Sequence, residues 1–230
     1  MKKFILCLML FVMGANISFG ADVMVNFSDT IKYHKKIMEI GFRILNSNEI
    51  EHRMTFYYDP GKTVNAYANG SNKQIVLYRG LRPYFDDDNE VAAILSHEIA
   101  HGMDFYQGYW RRVSMAIHSK AYERKADKKA IDYMVNAGYN PVAMIIILNK
   151  ICEEPSWFEV NYTHPIGSER LSYVYEYIYA KYPAYLVDND YKNNLYYQNF
   201  LLTTKKEREI IRKKYSYKVT KPEKKTNSVL

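Results

Sequence analysis

Between Asp29 and Leu45 apolar residues return every three to four positions, with Ile31, Ile37, Ile40, Ile44 and Leu45 set among Lys and Glu. That period predicts an amphipathic helix. Met54 to Tyr58, Val64 to Tyr67 and Gln74 to Tyr78 read instead as short strands. Asp59-Pro60-Gly61 closes the first, and Asn69-Gly70-Ser71-Asn72 reads as a hairpin turn between the other two. At Asp86 the pattern changes. Asp86-Asp87-Asp88-Asn89-Glu90 leads into an apolar helix expected to end near Phe105. Asp87 followed three residues later by Glu90 is a capping arrangement, and acids suit a helix start. A second helix is expected from Ser119 to Ala137, stopped by Gly138. Asn140-Pro141 opens a third, almost wholly apolar one to Cys152. A fourth is expected from Ser168 to Tyr182, and Tyr191 to Leu202 as a last, aromatic-rich element. Strands first and helices afterwards define an α+β fold, a small antiparallel sheet packed on a helical core.

The two ends differ from this body. Lys2 and Lys3, the apolar run Phe4 to Met13 and the small-x-small Ser18-Phe19-Gly20 read as a secretory signal peptide cut before Ala21. An uncleaved anchor is the alternative, but a membrane span needs about twenty apolar residues and this run is shorter. The chain is thus divided into a signal peptide (1–20), one domain (21–202) and a basic, flexible tail (203–230). Its net charge of +7 resides in that tail and the signal, because Lys205 to Lys225 hold ten Lys or Arg against three Glu. The basic balance therefore describes the tail and not an active site. Export to the periplasm or outside the cell makes nucleic acid an unsuitable partner. An anionic membrane surface or cell-wall polymer suits the tail. Once the signal is removed Cys152 is the single cysteine, so no internal disulfide can form.

Chemistry concentrates in His97-Glu98-Ile99-Ala100-His101. Two His four apart on a helix stack one turn apart on one face and can reach one ion. Glu98 can direct a carboxylate at the ion's open side. Zinc catalysis needs three protein ligands and a water, so a further ligand is required. Glu123, in Tyr122-Glu123-Arg124-Lys125-Ala126-Asp127, is the best candidate, on a helix that can return antiparallel. Asp127 lies one turn later and can accept the outer N–H of a ligating His. HExxH by itself is short and recurs by chance. Here it lies among Val91, Ala92, Ile94, Leu95 and Ile99, so its helix is buried and its polar groups need partners.

These segments resemble, in order, those of the zinc metallopeptidases that include HtpX, BepA and the CaaX prenyl proteases, a branch of the gluzincins. The likeness is carried by Asn65-Ala66-Tyr67-Ala68, Ile75 to Leu81, Ser96 to Gly102, Glu123 to Asp127, Ala137 to Pro141, and Thr163-His164-Pro165 with Arg170. The resemblance implies a zincin-like fold, one Zn2+ per chain on His97, His101 and Glu123, and Glu98 as catalytic base. It also implies that His164 lies close to the metal. Arg170 either donates to the oxyanion or holds helices together in an ion pair. The expected activity is that of a zinc-dependent endopeptidase acting on polypeptides, unfolded or damaged envelope proteins in particular. The alternative is a non-catalytic, chaperone-like zinc-binding envelope protein. Substrate is expected to add as a strand along the edge of Gln74 to Tyr78.

Overall fold

The structure, a computed structural model, describes residues 29–105, 107, 119–151 and 167–220. The signal peptide, Cys152 and Thr163-His164-Pro165 lie outside the described residues.

Helix α1 covers residues 29–47 and buries Ile37, Ile40, Ile44 and Leu45, whereas Ile31, at the helix start, is 53% exposed. It crosses the sheet closely at Gly41, where a Cβ would fall 2.4 Å from the Phe56 ring. Three strands follow, β1 (Thr55–Asp59), β2 (Ala66–Asn69) and β3 (Gln74–Tyr78). Their order is β1-β3-β2. β2 and β3 form the expected antiparallel hairpin, with Asn69 opposite Gln74. Its left-handed residue is Lys73, at φ 56°, and not Gly70. The sheet is not wholly antiparallel, however, because β1 runs parallel to β3, Thr55 opposite Gln74. The burial pattern gives the reason. Ile75, Val76 and Leu77 are all buried, as suits a central strand covered on both faces, whereas β1 alternates exposed and buried. Among the described residues β3 therefore has no free edge for a substrate, and the free edges belong to β1 and β2.

A 3-10 turn (Arg79–Tyr84) leads into α2 (Asp88–Phe105). Asp87 Oδ1 caps it, accepting from the backbone N–H of Asn89 (2.9 Å) and Glu90 (3.1 Å). Helix α2 is buried continuously from Glu90 to Gly102 and packs on β2, β3, α3 (Ser119–Asn136) and α4 (Val142–Ile151). Lys150 closes its N-terminal end, donating to the buried Glu90 at 2.7 Å, to Asp86 at 2.7 Å and to the Tyr84 carbonyl at 2.9 Å. Gly138, at φ 73°, ends α3 with the N–H of Tyr139 on the Met134 carbonyl at 2.8 Å. Helix α4 is buried from Val142 to Leu148 and forms the centre of the helical layer. Then come α5 (Gly167–Lys181), the short α6 (Ala184–Val187), α7 (Leu195–Thr203) and α8 (Lys205–Thr220). Among the described residues no helix is long and apolar enough to cross a membrane.

Helix α8 occupies residues 205–220 of the run expected as a basic tail. It packs on α5: Ile211 is buried, Tyr215 meets Tyr179 at 5.9 Å between ring centroids, and Lys214 binds Glu176 at 2.6 Å. Ile211 and Tyr215 stand one turn apart, so the lysine-rich run conceals an inward stripe that its composition masks. Ile211→Ala is expected to destabilise the protein by about 2 kcal/mol, the lower part of the range for a buried Ile→Ala change. Urea unfolding checks this, since loss of a side chain from an unpacked tail would leave the midpoint unchanged.

Candidate metal centre

Glu123, Ala126, Asp127, Ala130, Ile131 and Met134 are all buried on α3 and recur at three-to-four spacing, so the two acids share the stripe that faces the core. Helices α2 and α3 pack together. His97 and His101 present their imidazoles toward Glu123 from successive turns of α2. Their Nε2 atoms are 3.0 Å apart. Glu123 Oε1 is 3.1 Å from His101 Nε2, and Oε2 is 3.4 Å from His97 Nε2. Two bonds of 2.0–2.1 Å at a tetrahedral angle hold their donor atoms about 3.3–3.4 Å apart. The triangle of two imidazole nitrogens and a carboxylate thus has the dimensions and the donor types that zinc takes. Glu98, next to His97, is buried at 7% exposure.

Behind the triangle lies a charged cluster. His97 Nδ1 is 2.8 Å from Asp127 Oδ1, so Nδ1–H donates to the carboxylate and Nε2 is left facing Glu123 and His101. Arg170, on α5, grips Asp127 with two bonds: Nε to Oδ2 and Nη2 to Oδ1, each 2.8 Å. The Tyr173 hydroxyl donates to Asp127 Oδ2 at 2.7 Å. Arg170 Nη2 also approaches Glu123 Oε2, at 3.6 Å. Burial pushes the Asp127 carboxyl up, but Arg170 and then His97 outweigh it and hold the group well below the usual carboxylate range. Burial and Arg170 push the His97 ring down, yet the Asp127 and Glu123 carboxylates prevail and raise it to about 10. The surroundings therefore favour positive charge at His97. With both imidazoles neutral, as metal ligation requires, Glu98, Glu123 and Asp127 against one guanidinium give this buried group a formal −2, the complement of a divalent cation.

The structure thus brings together His97, His101, Glu123, Asp127 and Arg170, with Glu98 beside them. His164 lies outside the described residues. Of the two readings open for Arg170, the observed contacts are those of an ion pair that ties α5 to α3. Tyr173 was missed in the sequence. Its signal was positional: it stands three residues after Arg170 and shares that residue's helix face. Asp104, three residues beyond His101, is also buried, but Lys125 holds it at 2.8 Å and it forms part of the α2–α3 packing instead.

Two imidazoles one turn apart on α2 and a carboxylate from α3 make the donor set of an HExxH metal centre. The sequence matches peptidase family M48 over residues 32–104, a stretch that includes His97, Glu98 and His101. It is similar to the beta-barrel assembly-enhancing protease of Yersinia pestis, 25% identical over 59% of this chain and 37% of that protein. The protein of the same name from Escherichia coli (strain K12) is 23% identical over the same shares. The match spans 37% of the length of these curated relatives.

Proposed function

We propose that the protein is a zinc-dependent endopeptidase of the cell envelope, cleaving unfolded or damaged polypeptides. The observation that carries this reading is the buried triangle of His97 Nε2, His101 Nε2 and a Glu123 carboxylate, with edges of 3.0 to 3.4 Å. His97, His101 and Glu123 would hold one Zn2+ per chain. The metal, when bound, supplies a Lewis acid that polarises the scissile carbonyl and acidifies water. Glu98 accepts a proton from the attacking water and returns it to the amine as the C–N bond breaks. Asp127 fixes the tautomer of His97, and Arg170 fixes Asp127. Strand β2 packs on α2, so its free edge is the place for an extended substrate to pair through its main chain.

Zinc titration and proteolysis assayed together test the proposal. The purified chain should bind one Zn2+, and a chelator should abolish cleavage of an unfolded protein and lower the melting temperature. With free zinc at a thousand times Kd, the bound metal adds about 4 kcal/mol to stability. Stoichiometric zinc without chelator-sensitive cleavage would instead identify a non-catalytic zinc-binding protein. Absence of zinc binding would remove both readings.

A further inference from the structure

We infer that Tyr173 is a positioning residue for the metal centre, acting on His97 through Asp127. The inference rests on the zinc reading above and goes one residue further from the metal. Asp127 is fully buried, and its oxygens are approached in a fixed order. Oδ1 accepts from Arg170 Nη2 and from His97 Nδ1, both at 2.8 Å. Oδ2 accepts from Arg170 Nε at 2.8 Å and from the Tyr173 hydroxyl at 2.7 Å.

A carboxylate offers about four lone-pair sites, and the parallel fork of an Arg takes one on each oxygen. The outer site on Oδ1 goes to His97 and the outer site on Oδ2 goes to Tyr173. The guanidinium sets the plane of the carboxylate, and these two outer donors oppose each other across it. Without the phenol, Oδ2 keeps the guanidinium alone and the carboxylate can pivot about that fork. His97 Nδ1 would follow, turning its Nε2 out of the triangle. Tyr173 is itself held: its ring is 8% exposed and Arg124 lies over it, 4.9 Å from the centroid. A rigid phenol on a well-packed helix is suited to setting the angle of a group it does not share a chain segment with.

Tyr173→Phe keeps the ring and deletes only the hydroxyl. Tyr177→Phe is the control, one turn further along α5, where the hydroxyl donates to Asp132 at 2.9 Å. Zinc affinity of the full chain is measured by competition with a chromophoric chelator, and the visible spectrum of the Co2+-substituted protein reports the ligand field. Tyr173→Phe should bind zinc about tenfold more weakly, the low end of the range for disturbing a metal ligand's outer partner, here Asp127. Its cobalt bands should shift, while Tyr177→Phe should match wild type in both readouts. Wild-type affinity and an unshifted spectrum for Tyr173→Phe would overturn the inference. So would equal weakening by the two variants, which would make the tyrosine merely a structural part of α5. Failure of the wild-type chain to bind zinc would instead overturn the proposed function, so the two failures are distinguishable.

Discussion

Glu98→Gln is expected to bind one zinc ion per chain as tightly as wild type and to cleave an unfolded protein at least about a hundredfold more slowly, the lower bound for loss of a general base. Glutamine has nearly the same shape, so the buried site at 7% exposure should stay packed. Glu98 does not belong to the converging donor group of His97, His101 and Glu123. An amide cannot accept the proton that water must lose, so chemistry stops while binding persists. Single-turnover proteolysis with a parallel zinc titration separates the two. Undiminished cleavage would move the base elsewhere, and lost zinc would place Glu98 among the ligands.

The second large effect is on stability. Arg170→Leu should cost about 3–5 kcal/mol, the usual penalty for removing one partner of a buried ion pair. The side chains of Arg170 and Asp127 are 6% and 0% exposed, so solvent does little to screen or replace the interaction. Leucine leaves the Asp127 carboxylate with Tyr173 and His97 but without its counter-ion. Urea unfolding should be run in excess chelator, so that any zinc bound to the folded state adds nothing to the difference. A cost below about 1 kcal/mol would be that of an exposed pair and would contradict the burial.

Most of the helices were legible because their apolar periods were strong and their ends carried Asp87, Gly138 and Pro141. The strands and the β2–β3 hairpin were legible too, but the pairing of β1 was not. Burial of β3 on both faces follows from what packs against it, and only that makes it the central strand with β1 parallel beside it. Helix α8 was hidden because ten cations dominate the run from Lys205 to Lys225, and two inward residues one turn apart are a weak signal against that background. At the centre, His97, Glu98 and His101 come from one contiguous motif. Glu123 and Asp127 needed the assumption that α3 turns that face inward, and the burial of both now supplies it. Tyr173 was obscured by abundance. With 23 tyrosines in the chain, none stands out by identity, and a tyrosine's polar tip readily meets water. Several instead donate to carboxylates: Tyr173 to Asp127, Tyr191 to Asp87, and Tyr177 and Tyr182 to Asp132.

Three helices far apart in sequence contribute to one buried charge balance, with the acids on α2 and α3 and Arg170 on α5. A polypeptide is synthesised from its N-terminus, so the carboxylates emerge before the guanidinium that neutralises part of them. A nascent chain stopped short of α5 would hold Asp127 with neither Arg170 nor Tyr173, and His97 without a firmly anchored acceptor. Competence therefore waits until α5 has been made and has folded back onto α3.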